Sequence, residues 1–286
     1  MNASPRKPAG DQAGCAILGH AFVESSLSGL AALRDAPAAP ATLQLPPRFL
    51  RHSDEHTVAA VHAVLVALGS MPQAPSFDRC GVVAAPCQAG RMMTARSLAM
   101  LKTDGAVTVS PHIVPQCSLH SLAGAVSVAL GMHGPHLGVG GGPDALAEGL
   151  FAAMSLFQPA AASGCEAAWL IVTEWASEPE LDATGAAVGD PVCRALAMLL
   201  APNGPTAQES LTLSLHTPAA SLIDDDGSDL VAFAEAIEMC GSGSALASWT
   251  VTCPWGTQIR LTRRAAAVAV PRRRPASGSS PLREAA

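Results

Sequence analysis

The chain contains no tyrosine, and its aromatic residues amount to only 3% of 286 positions. Lysine occurs only at Lys7 and Lys102, so the 17 basic residues are almost all arginine. With no tyrosine to stack between arginines and no basic patch outside the tail, nothing supports nucleic-acid recognition. The eight cysteines include no C-x-x-C pair, and their wide spacing excludes a metal knuckle and a disulfide framework. They read instead as small apolar residues in a reducing compartment. Long hydrophobic runs are missing too. Val58 to Leu68 and Leu119 to Leu130 are too short and too polar to span a bilayer, and the start of the chain lacks the charged and apolar regions of a secretory signal. These absences predict a cytoplasmic protein with no membrane span and no nucleic-acid partner.

What is present is a globular composition, 49% hydrophobic and 14% charged, enough for one large domain or two small ones. Alanine supplies much of the apolar count, so small side chains must pack closely. The net charge of −6 conceals an asymmetry. From Arg260 onward there are 7 basic residues and one acidic, whereas the preceding residues hold 10 basic and 22 acidic, a net of −12. The sequence therefore divides into a lead (1–13), a folded, acidic body (14–261) and a basic, Pro/Ser-rich tail (262–286), with both ends read as disordered.

Periodicity and turn residues predict the elements of the body. Cys15 to Ser28 reads as a strand and Ala36 to Pro47 as a loop. Arg51 to Leu68 reads as a helix capped by Ser53, with Val58, Val61, His62, Leu65 and Leu68 at helical spacing. A buried strand is predicted over Cys80 to Ala85, a helix over Thr94 to Leu101 and an extended segment over Thr108 to Ile113, ended by the Val114-Pro115 step. His120 to Leu130 is a helix, Leu137 to Val139 a buried strand and Pro143 to Leu156 a helix. Trp169 to Thr173 is a strand, Pro191 to Leu200 a helix and Leu211 to Leu215 a strand, with one last edge strand within Trp249 to Leu261. Buried strands alternating with helices predict a mostly parallel mixed sheet with helices on both faces, a three-layer αβα architecture.

Four local patterns invite a chemical reading. The run Gly138-Val-Gly-Gly-Gly-Pro143 joins a strand to a helix, but it matches neither G-x-G-x-x-G nor a P-loop. It reads as a sharp turn with Pro143 at the first helical position. His52-Ser-Asp-Glu-His56 matches H-x-x-E-H, which leaves a zinc hydrolase through His52 and His56 as one alternative. Asp224, Asp225, Asp226 and Asp229 surround Gly227 but lack calcium-loop spacing, so they read as a solvated turn. Gly241-Ser-Gly243-Ser does not fit a nucleophile elbow.

The segment His120-Ser-Leu-Ala-Gly124-Ala-Val-Ser-Val-Ala-Leu130-Gly-Met-His-Gly134-Pro135, followed by a strand and Asp144-Ala-Leu146, resembles the N-terminal domain of the β-ketoacyl synthases, the thiolase-like condensing enzymes. Upstream, Arg51 to Leu68 and Asp78-Arg-Cys-Gly81-Val-Val look like the family's helix and its D-R-x-G-V-V strand. The resemblance implies a thiolase-like half and places the family's nucleophilic cysteine at Pro143, or on glycine if the alignment is gapped. No thiol stands at that turn, and neither catalytic-histidine motif follows; the only later histidine is His216. No catalytic residue and no cofactor is therefore carried over. The implied role is a ketosynthase-like or chain-length-factor-like partner in fatty-acid or polyketide biosynthesis, aryl polyenes included. It would pair as a homo- or heterodimer with a ketosynthase subunit, an acyl carrier protein or both. The remaining alternative is an acyltransferase using another cysteine, Cys117 before the apolar helix or Cys165.

Overall fold

The computed structural model describes residues 14–37, 43, 45–72, 76–158, 164–203, 210–217, 226–242 and 248–264. The predicted lead, nearly all of the tail, and Asp224, Asp225 and Gly243 lie outside the described residues. In chain order the elements are β1 (Gly14–Ser26), α1 (Leu27–Asp35), α2 (Glu55–Ser70), β2 (Cys80–Pro86), α3 (Arg91–Asp104), a 3-10 turn (Ala106–Thr108), α4 (Ile113–Gln116), α5 (His120–Leu130), β3 (His136–Gly138), α6 (Ala145–Ser155), β4 (Ala167–Trp175), β5 (Val192–Pro202), β6 (Ser210–His216), α7 (Leu230–Ser242), β7 (Ser248–Thr252) and β8 (Gln258–Arg264).

All eight strands form one sheet in the order β3-β2-β4-β5-β1-β6-β8-β7. Only β2 pairs in parallel, with β3 on one side and β4 on the other; every other neighbouring pair is antiparallel. The sheet is thus mixed, as expected, but mostly antiparallel rather than mostly parallel, because parallel pairing is confined to the end where α5 and α6 connect β2, β3 and β4. The alternation of side chains along the strands builds two cores. On one face Val83, Leu170, Val172, Leu196 and Met198 meet α6 and α7 through Leu150, Met154, Phe233 and Ile237. On the other, Val82, Trp169, Ile171, Ala197 and Leu199 meet α1, α2 and α5 through Leu30, Val61, Leu65 and Leu122. The predicted three layers are present.

Close packing follows from the small residues. Ala59, Ala60, Ala63 and Ala67 of α2 are all fully buried. A Cβ added at Gly149 of α6 would lie 2.7 Å from Ala85 Cβ on β2 and 3.0 Å from Leu170 Cδ1 on β4. That helix sits against the sheet at a distance only glycine permits.

Several elements depart from the sequence expectation. Pro191 to Leu200, rich in Ala, Leu and Met, is not a helix but lies in the interior strand β5, hydrogen-bonded between β4 and β1. Tertiary pairing overrides helix propensity here, because its successive residues fill opposite cores. Asp54, not Ser53, caps α2: its carboxylate accepts from Thr57 N at 2.9 Å. Thr108 to Ile113 is not extended, and Val114 and Pro115 lie inside α4. Pro115 occupies the first turn, where no intrahelical donor is needed. β3 is an edge strand with Leu137 39% exposed, not a buried one. The last predicted edge strand is a hairpin, with β8 inside the sheet and β7 at its edge. Helix α7 has no counterpart in the sequence reading.

Candidate functional site

In sheets with helices on both faces, ligands collect beyond the carboxyl ends of parallel strands. Here β2 and β4 end at Pro86 and Trp175, and a cavity of about 290 Å³ opens beside them. Its walls include Cys87, Pro143, Thr173, Glu174, Trp175, Glu178 and Asp229. The turn from β3 to α6 forms one side. Val139 N donates to Ala84 O at 2.8 Å, Gln88 N to Gly141 O at 3.3 Å, and Cys87 bridges Gly141. Gly140 and Gly141 take φ of 79° and 103°, the left-handed region that glycine supplies without strain. A Cβ at Gly138 would lie 2.4 Å from the carbonyl carbon of Leu119, so the turn is also pressed against the start of α5. Pro143 is exposed and stands two residues ahead of α6, which begins at Ala145, rather than at the first helical position.

The thiol in this cavity is Cys87, which the sequence reading passed over. Burial, and secondarily the charge of Glu174, pushes it above the ordinary thiol range. It is therefore protonated near neutral pH, the less nucleophilic form. The carboxyl of Glu174 is itself raised by burial, although Arg194 opposes the shift from 3.5 Å. Arg194 also holds Glu24 at 2.8 Å. Glu178 is paired with Arg91. Asp229 caps α7 by accepting from Ala232 N at 2.8 Å, and Asp226 accepts from Thr250 N at 2.7 Å, so both described aspartates of that run serve backbone. Among the described residues no histidine lines the cavity. A thiol whose ionised form is disfavoured by burial and by a neighbouring carboxylate is poorly suited to nucleophilic attack.

The other sequence candidates lie apart from this cavity. Cys117 adjoins the C-terminal end of α4, its Cβ against Gly90, in the wall of a separate apolar cavity of about 300 Å³ with Leu98, Leu101, Ile113 and Val114. Its thiol is pushed up by burial, with Thr94 opposing, so the lowering expected from its place before α5 is not found. Cys165 is also raised by burial and donates to Ala167 O at 2.8 Å. His52 and His56 do not share a helix face: His52 is exposed in the turn before α2, and His56 is buried. Nδ1 of His56 lies 2.9 Å from Thr173 Oγ1, and its ring meets Trp175 edge-on at 5.6 Å. Burial lowers its pKa, against a smaller raising effect of Asp54. His216 pairs with Ser214 on β6 at 2.8 Å. Among the described residues no group of three or more His, Cys, Asp or Glu is placed to hold a metal ion.

No family model matches the sequence, and no curated protein matches it. Solved structures do. The ketosynthase (ApeO) in complex with its chain length factor (ApeC) from Xenorhabdus doucetiae matches at 17% identity with a TM-score of 0.51, over 87% of this chain and 99% of that one. The ishigamide ketosynthase/chain length factor matches at 15% identity and 0.52, over 88% and 99%. The AntDE:AntF assembly, a type II PKS acyl-carrier protein in complex with its ketosynthase bound to the hexaketide, matches at 10% identity and 0.59, over 89% and 100%. The chain has a ketosynthase-like, thiolase-type fold. The strand-to-helix turn at which the family resemblance expects a nucleophile, on Pro143 or a glycine before it, borders the cavity at β2 and β4. Among the described residues no helix is long and apolar enough to cross a membrane.

Proposed function

We propose that this chain is a ketosynthase-like partner subunit, of the chain-length-factor kind, in fatty-acid or polyketide-type biosynthesis, and that it performs no condensation itself. The observation that carries the reading is the combination of a ketosynthase-like fold with Pro143 at the turn and a cavity whose thiol, Cys87, is held protonated. A cytoplasmic setting agrees with eight free cysteines.

The partner surface in this reading is the open edge of β3. Among the described residues that strand pairs only with β2, so its outer backbone groups have no neighbour in the sheet. Exposed Leu137 and Val128, and the stacked rings of His120 and His136 at 4.9 Å, flank it. An exposed edge of this kind is completed by a strand from another chain. The partner is a ketosynthase, and an acyl carrier protein delivers to the pair.

Co-expression with the ketosynthase encoded beside it, followed by affinity capture, tests the proposal. Stoichiometric co-purification is expected, lost on His136→Pro, which removes an outward-facing backbone donor of β3 and leaves its pairing with β2 in place. Failure to associate, with product chain length unchanged on deletion of this chain, refutes it. Incubation with an acyl thioester is expected to leave the intact mass unchanged; an adduct lost in Cys87→Ser or Cys117→Ser refutes the non-catalytic part alone.

A further inference from the structure

Apart from Arg260 on β8, the arginines of the body fall into two groups. Arg79 pairs with Glu166 at 2.6 Å, Arg91 with Glu178, and Arg194 with Glu24 and Glu174. The other four converge from three parts of the chain: Arg34 in the last turn of α1, Arg48 and Arg51 in the turn before α2, and Arg96 in α3. Arg34 and Arg96 share one buried carboxylate, Glu55, at 3.4 and 3.9 Å. Arg48 and Arg51 have no ion-pair partner among the described residues.

These side chains line two adjoining cavities. One, of about 210 Å³, has Arg34, Arg51 and Arg96 in its walls together with His52, Ser53 and Gln116. The other, of about 290 Å³, shares Arg34 and Arg51 with it and adds Arg48 and Asp35. Among the described residues of these walls, four guanidinium groups face only the carboxylates of Glu55 and Asp35, so a local excess of positive charge sits on a strongly acidic body.

The cluster is also preorganised. Arg48 holds φ of 62°, a left-handed conformation uncommon for a residue with a long side chain. Hydrogen bonds from Phe49 N to Pro46 O and from Arg51 N to Arg48 O fix that turn, and Leu50, 2% exposed, anchors it in the core. Glu55 steadies Arg34 and Arg96 from below without exhausting their donors: Nε of Arg34 is buried and unpartnered. Backbone strain retained in a turn that presents a charge is the pattern of a binding site.

We propose that this cleft is an oxyanion site for the phosphate group of a small ligand. Guanidinium forks arriving from several directions suit a tetrahedral dianion, whose oxygens accept bidentate pairs on more than one side; a carboxylate offers two oxygens in one plane. The inference is independent of the partner function proposed above, and neither requires the other.

Calorimetric titration of the full chain with pyrophosphate and with inorganic phosphate, at constant ionic strength, tests it; acetate serves as the planar comparison. Saturable binding near one equivalent is expected for pyrophosphate, weakened at least tenfold in Arg48→Gln/Arg51→Gln. These two arginines have no internal ion pair, so their removal leaves no buried charge uncompensated. Binding is expected to survive Arg79→Gln, and also the triple change of Arg272, Arg273 and Arg274 to glutamine, which removes the tail's charge. Absence of saturable binding, survival of full affinity in the double variant, loss with the tail variant, or equal binding of acetate overturns the proposal. Should the double variant not fold, phenylglyoxal labelling of the unaltered chain decides: pyrophosphate is expected to protect Arg48 and Arg51 but not Arg79, and equal labelling with and without it refutes the site.

Discussion

Replacing His56 by asparagine is expected to flatten the acid side of the stability profile. His56 is 2% exposed, with Nδ1 2.9 Å from Thr173 Oγ1 and Nε2 buried without a partner. Protonation would place a second N–H at Nε2 with no acceptor to receive it. The folded state therefore holds the histidine neutral, its pKa lowered by burial from 6.5 despite Asp54. A depressed histidine means that the unfolded chain binds the proton more readily, so stability is full above the unfolded pKa and falls as pH drops through about 6.5. Between pH 7.5 and 5.5 the most a single such group contributes is about 1.4 kcal/mol, the free energy of the proton taken up by the unfolded chain alone. Urea unfolding at pH 7.5, 6.5 and 5.5 measures it. Asparagine keeps a polar atom near Thr173 but does not titrate, and the lowered His62 and His216 titrate in both proteins and cancel in the difference. The variant loses ring packing on Trp175 and is less stable at every pH; the expected result is that its deficit shrinks by up to about 1.4 kcal/mol as the pH falls to 5.5. A deficit constant across that range refutes the claim that His56 is held neutral.

Gly138→Ala is expected to cost about 1 to 3 kcal/mol in urea unfolding, because its Cβ would overlap the Leu119 carbonyl at 2.4 Å. Phe233→Ala, in a fully buried position on α7, is expected to cost about 3 to 5 kcal/mol by the same measurement; a cost below 1 would mean that α7 is not part of the core. Asp54→Ala removes the cap of α2 and the acceptor for Gly90 N at 3.0 Å, and a loss of about 2 kcal/mol is expected. At pH 7.5, alkylation of Cys87 by iodoacetamide is expected to be slower than that of an unperturbed thiol and to speed up in Glu174→Gln, read by peptide mass; no acceleration would show that Glu174 does not raise it.

The segments that were legible in the sequence are those whose local pattern and tertiary role agree. His120 to Leu130 is a helix over the predicted span, because its apolar spacing, its small residues and its place against α2 and β3 all favour one state. Cys80 to Pro86 is a strand buried at every position, as its β-branched, apolar run implied. β5 was illegible for the opposite reason: its Ala, Leu and Met residues favour a helix, and only the strands on either side make it extended. Helix α7 carried a readable signal in Leu230, Phe233, Ala234, Ile237 and Cys240, spaced by three and four, with Asp229 as its cap. The aspartate run drew the reading toward a loop and hid the helix that begins beside it.

The candidate site was legible in place and not in chemistry. The glycine turn ending at Pro143 marked the position, since a strand-to-helix turn with no thiol is visible in one stretch of chain. The remaining walls come from the ends of β2 and β4 and from the start of α7, which are far apart in sequence and share no motif. Cys87 follows β2 directly, and topology alone sets it beside Pro143 and Glu174. A thiol did remain in the cavity, yet the same burial that encloses it, together with the neighbouring carboxylate, raises its pKa and keeps it protonated. Burial and the Glu174 carboxylate act on this thiol in the same direction. A cysteine placed at position 143 would therefore be a second thiol before the same carboxylates, with no histidine among the described residues of the cavity wall to ionise it.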